Sequence, residues 1–175
     1  MKKLLLSAFL IAVTFSYAQV GISAGYSSGK AKISGDGVSI SSEDAAGAFS
    51  VGIFADLELD SSIDFQPYIA YGIGEKVEDE SNTAISFGGN FDVYPMGREN
   101  GLFFRGGVGV GISLMDVDTD LIKKSATSGV IGLGLDVSEN AAVILGYSTQ
   151  LSDSSNISGV EIKATGIGAQ LQIKF

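Results

Sequence analysis

Along most of this chain, apolar side chains fall on every second residue, the period of an extended strand whose two faces meet different surroundings. The last eleven residues show it most plainly, with Thr165, Ile167, Ala169, Leu171, Ile173 and Phe175 on one side and Gly166, Gly168, Gln170, Gln172 and Lys174 on the other. Eight segments share the pattern: 19–28, 48–59, 65–74, 84–94, 102–114, 127–137, 141–151 and 163–175. In the second, Phe49, Val51, Ile53, Ala55, Leu57 and Leu59 oppose Ser50, Gly52, Asp56 and Glu58, and Phe54 interrupts the polar row. In the fifth, Leu102, Phe104, Val108, Val110, Ile112 and Leu114 oppose Arg105, Gly107, Gly109, Gly111 and Ser113. Nearly every segment is long enough for a tilted strand to cross hydrocarbon. The pattern predicts an all-β fold, an eight-stranded antiparallel up-and-down transmembrane β-barrel with apolar rows toward lipid and small or polar rows toward a lumen.

The connections alternate in length. Residues 60–62, 95–101 and 138–140 read as short turns, whereas 29–47, 75–83, 115–126 and 152–162 are longer and polar. Short periplasmic turns, long outer loops and both ends of the barrel in the periplasm are the expected arrangement. Aromatics gather where the two interfaces should lie: Phe65, Phe91, Tyr94, Phe103, Phe104 and Phe175 below, and Tyr26, Phe49, Tyr71 and Tyr147 above. A soluble β-sandwich also alternates, but one of its faces meets water, so an outward row of Val, Ile, Leu and Phe on every strand is not expected of it. Pro67 stands against closure, because a closed barrel has no free edge to excuse a missing donor. Either the third strand starts at Tyr68 or Pro67 marks a bulge.

The first residues form a separate element. Met1, Lys2 and Lys3 precede an apolar run at 4–13, and Ser16-Tyr17-Ala18 is a small-x-small cleavage pattern. Residues 1–18 therefore read as a signal peptide and 19–175 as the barrel. The apolar run is too short to span a bilayer as a helix. Lys2 and Lys3 leave with the leader, so 9 of the 11 Lys and Arg remain against 20 acidic side chains, a formal charge of −11. Such a balance argues against a nucleic-acid partner. Mean hydropathy is nevertheless +0.31, and a lipid-facing surface reconciles the two values. There is no cysteine, which excludes lipoprotein attachment, disulfides and thiol chemistry.

With its leader, eight strands, four long loops and terminal Phe175, the chain resembles the small OmpA/OmpX-like outer-membrane β-barrel proteins, a porin-like family of Gram-negative bacteria. The resemblance covers the whole mature chain and implies residence in the outer membrane among its lipids and lipopolysaccharide. It also implies that Leu171, Ile173 and Phe175 are the signal read by the barrel-assembly machinery, a partner during biogenesis. No peptidoglycan-binding domain follows, so tethering of the cell wall is not implied.

Inward charges are the sharpest functional material. With symmetric turns, Asp92 falls opposite Arg105, Asp136 near Arg105 on its other side, and Asp56 across from Gln66, with Glu58 on the same inward row. An Arg in a narrow lumen needs such partners, since a lone buried charge is strongly unfavourable. This cluster is read first as a structural plug in a surface-interaction barrel, because eight strands leave room only for their own side chains. The alternative is a gate in a narrow passive pore for small solutes or ions, suggested by inward glycines such as Gly72, Gly109, Gly111 and Gly146 that leave space above the charges.

Other motifs carry less. The run Gly107-Val-Gly109-Val-Gly111 lacks the helix that a phosphate-binding loop needs. Asp116, Asp118 and Asp120 resemble the start of a calcium loop, but Leu121 and Thr127 occupy the glycine and glutamate positions of an EF-hand, leaving a loose loop site. The acidic run 75–80 reads as a solvated loop tip that divalent cations could bridge to lipopolysaccharide. Without His or Cys, a Ser-His-Asp triad, a Cys nucleophile and the usual zinc sets cannot be built. No enzyme, cofactor or metal is expected, and outer loops such as 29–47 are the candidate ligand contacts.

Overall fold

A computed structural model describes residues 18–35, 37–41, 46–75, 82–114 and 123–175. The leader through residue 17 and the loop positions Asp116, Asp118 and Asp120 lie outside the described residues. The strands are β1 (Gln19–Gly35), β2 (Val38–Ser41), β3 (Ala46–Asp60), β4 (Ile63–Gly74), β5 (Thr83–Val93), β6 (Leu102–Ser113), β7 (Ser125–Ser138), β8 (Ala141–Gln150) and β9 (Val160–Lys174). All except β2 form one antiparallel ring in chain order, closed by β9 on β1. Among the described residues no helix is long and apolar enough to cross a membrane; the crossing element is the strand.

Two expectations about strand limits need correction. β1 continues to Gly35 and pairs there with β2, which lies inside the stretch read as a loop. The hairpin has its signal in the sequence: an Asp-Gly pair at 36–37 between alternating residues, with Gly37 at φ 79°, the left-handed conformation that a two-residue turn favours. The Ser- and Gly-rich composition masked it. Pro67, in turn, marks neither a strand start nor a bulge. β4 begins at Ile63 and runs through Pro67, which pairs with Gly89 of β5. Toward β3 the ladder lapses opposite Ala55 and Asp56 and resumes in the same register between Leu57 and Phe65. The barrel absorbs a missing donor there by omitting two bridges, and the register shift between β3 and β4 falls at Glu58/Asp60 instead.

The strands are strongly tilted. Partners followed from Gly21 run through Phe54, Tyr68, Gly88, Gly109 and Ser128 to Gln150, from near the start of β1 to the end of β8. The continued register re-enters β1 near Ala31. This stagger is what closing a sheet into a barrel requires. At the seam, the Phe175 amide donates to the Val20 carbonyl at 2.9 Å.

Large apolar side chains, among them Ile53, Val108, Ile131, Leu145 and Ile167, are exposed on the outside, whereas Phe54, Tyr94, Phe103, Asp92 and Arg105 are buried within the ring. Phe54, which broke the polar row, is an inward residue seated against Gly21. Tyr94 and Phe103, read as part of the lower girdle, also turn inward and are buried. They share the phase of Asp92 and Arg105 two residues away, and a period of two allows no other outcome. The girdle retains Phe65, Phe91, Phe104 and Phe175 below and Tyr26, Phe49, Tyr71 and Tyr147 above.

Candidate functional site: a layered plug in the lumen

At the centre, β6 places Arg105 directly opposite Asp92 of β5. The Arg105 Nε donates to one Asp92 carboxylate oxygen at 2.7 Å and its Nη2 to the other at 2.6 Å. Two parallel bonds of this kind are the strongest fit between guanidinium and carboxylate. Nη2 also reaches the Gln66 Oε1 at 2.6 Å and the Gln172 Oε1 at 3.2 Å, while Nη1 reaches the Gln170 Oε1 at 3.1 Å. Arg105 is 4 % exposed and Asp92 0 %. An ion pair that dry stands only because the remaining donors and acceptors are met.

A second tier lies nearer the chain ends. The Gln66 amide donates to Asp56 at 3.1 Å, and Lys174 of β9 closes on the other Asp56 oxygen. Tyr94 donates its hydroxyl proton to Asp136 and packs on Phe103, ring centres 5.2 Å apart. The third tier is the rim. Arg98, on the 3-10 turn Arg98–Asn100 between β5 and β6, grips Asp64 with two bonds of 2.5 and 2.6 Å. It donates to the Asp60 carbonyl at 2.9 Å, lies 3.5 Å from Glu58 and covers the Tyr94 ring at 4.9 Å. The Asp64 carboxylate holds the Arg98 guanidinium well above its ordinary pKa.

Arg98 has a clear physical reason to fold inward. In the ladders Glu58 faces Asp64 and Asp64 faces Asp92, three carboxylates in successive strands, and like charges directly opposite one another destabilise a sheet. Arg105 answers Asp92 and Arg98 answers Asp64. Read as part of a short turn, Arg98 escaped notice, although an inward Asp64 without a neighbouring base was a signal for it.

Two members of the sequence-derived cluster lie elsewhere. Asp136 is not beside Arg105: Gly132 holds that position and Asp136 lies four residues further down β7, near Gly101 and Tyr94. Symmetric turns were the wrong assumption, since the register is set by the stagger of the whole ring. Glu58 is exposed at the rim, paired with Arg98. The glutamines from β4 and β9 were beyond an argument limited to neighbouring strands, because they meet Arg105 across the lumen.

Above Arg105 lies a cavity of ≈ 260 Å³ lined by Ser23, Ser50, Ser86, Ser128, Ser148 and Tyr68, among others. Asn90 on its wall is buried, and its Oδ1 has no hydrogen-bond partner. Several inward glycines do not provide space but give it up. A Cβ on Gly134 would sit 2.0 Å from Phe103, one on Gly109 2.3 Å from the Tyr68 hydroxyl, and one on Gly107 2.1 Å from Asn90. Gly72 and Gly111, nearer the outer end, have no atom closer than 3.8 and 4.0 Å. Among the described residues no group of three or more acidic side chains is arranged to hold a metal ion.

Solved outer-membrane barrels share this architecture. The crystal structure of Neisserial surface protein A (NspA) superposes with a TM-score of 0.55 at 15% identity, over 89% of this chain and 97% of that one. That of the outer membrane enzyme PagL gives 0.58 at 13% identity, over 89% and 99%. This chain has the fold of the small outer-membrane β-barrels. At such identities the likeness concerns the fold alone, and one of the two barrels is an enzyme while the other is described as a surface protein. No protein-family model matches the chain, and no curated relative matches it either.

Proposed function

We propose that the chain is a bacterial outer-membrane protein, exported with cleavage after Ala18, whose barrel is a plugged scaffold that presents its outer loops to an extracellular partner. The observation that carries this reading is the Arg105 site: five hydrogen bonds to Asp92, Gln66, Gln170 and Gln172, with two more tiers below it, the lower one forming the rim. A solute would have to break charge-assisted bonds in all three. Its residue types favour a non-catalytic role, since the chain has neither His nor Cys. Insertion would use the barrel-assembly machinery, with Leu171, Ile173 and Phe175 on the outward face of β9 as the signal.

The cavity above Arg105 favours a second reading, a narrow passive pore that opens when the Arg105–Asp92 pair parts. Planar-bilayer conductance of refolded protein decides between the two, once a gel has shown the heat-dependent mobility of an intact barrel. Silence from the parent and from Arg105→Ala supports the plug. Discrete openings in the parent that Arg105→Ala enlarges replace it with the gate.

A further inference from the structure

The outward faces of β1 and β9 change character together. On β1 the row Val20, Ile22, Ala24 and Tyr26 is followed by Ser28, Lys30 and Lys32; on β9 the row from Phe175 to Ile167 is followed by Thr165, Lys163 and Glu161. The ladder sets the change at one height, with Ser28 opposite Ile167, Lys30 opposite Thr165 and Lys32 opposite Lys163. Just below, Tyr26 packs on Phe49 with ring centres 4.9 Å apart, the kind of aromatic pair that gathers at the boundary of hydrocarbon and headgroups. Four residues separate Lys30 from Tyr26, about 13 Å of strand, or about 10 Å along the membrane normal at a tilt near 40°. The amines therefore stand at headgroup depth.

Two lysines directly opposite on one face repel. The chain keeps them there although its acidic side chains outnumber its basic ones by 20 to 11. Glu161, 3.1 Å from the Lys163 amine, offsets part of that charge in an exposed pair, where such a bridge is worth little. β2 brings Ser41 opposite Lys32 and Ser39 opposite Ser34, adding hydroxyls to the same face. An anion with several oxygens lying among these amines converts repulsion into attraction, and a phosphate carried on a lipid already resides at this depth.

We propose that Lys30, Lys32 and Lys163 bind the phosphate of an outer-leaflet glycolipid, lipopolysaccharide, against the β1–β9 seam. This rests on the outer-membrane reading above and gives that lipid a defined place on the barrel. The test compares the parent with the K30Q/K32Q/K163Q variant in vesicles containing either phosphorylated or enzymatically dephosphorylated lipopolysaccharide, with the unfolding midpoint read from heat-dependent gel mobility. The phosphorylated lipid should raise the parent midpoint by about 3 °C over the dephosphorylated one, and the triple variant should lose that rise. K124Q, which removes an exposed amine of the outer loops, should keep it. Equal midpoints in the two lipids, an undiminished rise in the triple variant, or the same rise from inorganic phosphate alone would overturn the proposal. Membrane fractionation tests the location independently: a chain found outside the outer membrane sinks that reading whatever the vesicles report.

Discussion

The two halves of the lumen are built from the same residue types and do opposite things with them. Toward the chain ends the glycines are seats: Gly21 takes Phe54 and Gly134 takes Phe103. Every charge there is held, Arg105 by Asp92 and three glutamines, Lys174 by Asp56, Arg98 by Asp64. Toward the outer end Gly72, Gly111 and Gly146 meet nothing closer than 3.4 Å, and serines line the space. A glycine's meaning in a barrel is thus set by what the opposite wall sends toward it. Counting inward glycines measures neither pore nor plug.

The strongest way to break this contrast is to remove a held charge. Arg105→Ala leaves Asp92 buried without its partner and should destabilise the barrel by about 3–5 kcal/mol, read as a lower urea midpoint in lipid vesicles. The Arg105→Ala/Asp92→Ala double variant should recover part of that loss, and a double variant no better than the single would show that the pair is not the dominant contact. Next come the seats. Gly134→Ala puts a methyl into Phe103 and should cost about 1–3 kcal/mol, whereas Gly72→Ala, the same substitution in the open half, should be neutral or gain about 0.4–1 kcal/mol from reduced freedom of the unfolded chain. Equal costs at the two positions would erase the distinction.

The smallest effect concerns the outer loop at 151–159, outside both halves. The backbone amides of Ser155 and Ile162 donate to Asp153 at 2.9 and 2.8 Å, and these bonds hold its carboxyl below the ordinary value. A depressed carboxylate contributes its full stabilisation above the ordinary value and loses it as pH falls through the lowered one. Amide exchange at Ser155 and Ile162 should therefore accelerate, relative to its intrinsic rate, only at strongly acidic pH. Asp153→Asn should show the faster exchange already at neutral pH.

Alternation made all eight ring strands legible, because lipid outside and packed polar groups inside impose opposite demands on successive residues. What it missed was non-local or exceptional. Pairing across one turn was readable for Asp92 and Arg105, but the position of Asp136 depends on a stagger accumulated around the ring, and the approach of Gln170 and Gln172 to Arg105 depends on closure. Tyr94 and Phe103 were misjudged because residue type was preferred to phase, and phase prevailed. In the same way composition was preferred to pattern at 29–47, where the Asp-Gly turn and the alternation of Ile33, Val38 and Ile40 encoded β2.

The seam has a consequence for how the chain comes to be folded. β1 is the first strand made and β9 the last, yet they pair over the longest run in the molecule, from Gly21 with Lys174 to Gly35 with Val160. Until β9 arrives, β1 carries an open row of backbone donors and acceptors on one side, which hydrocarbon cannot satisfy. Entry into the bilayer is therefore tied to completion: a chain interrupted before β9 retains a raw edge that invites pairing with another chain, and only the finished one has no edge left to offer.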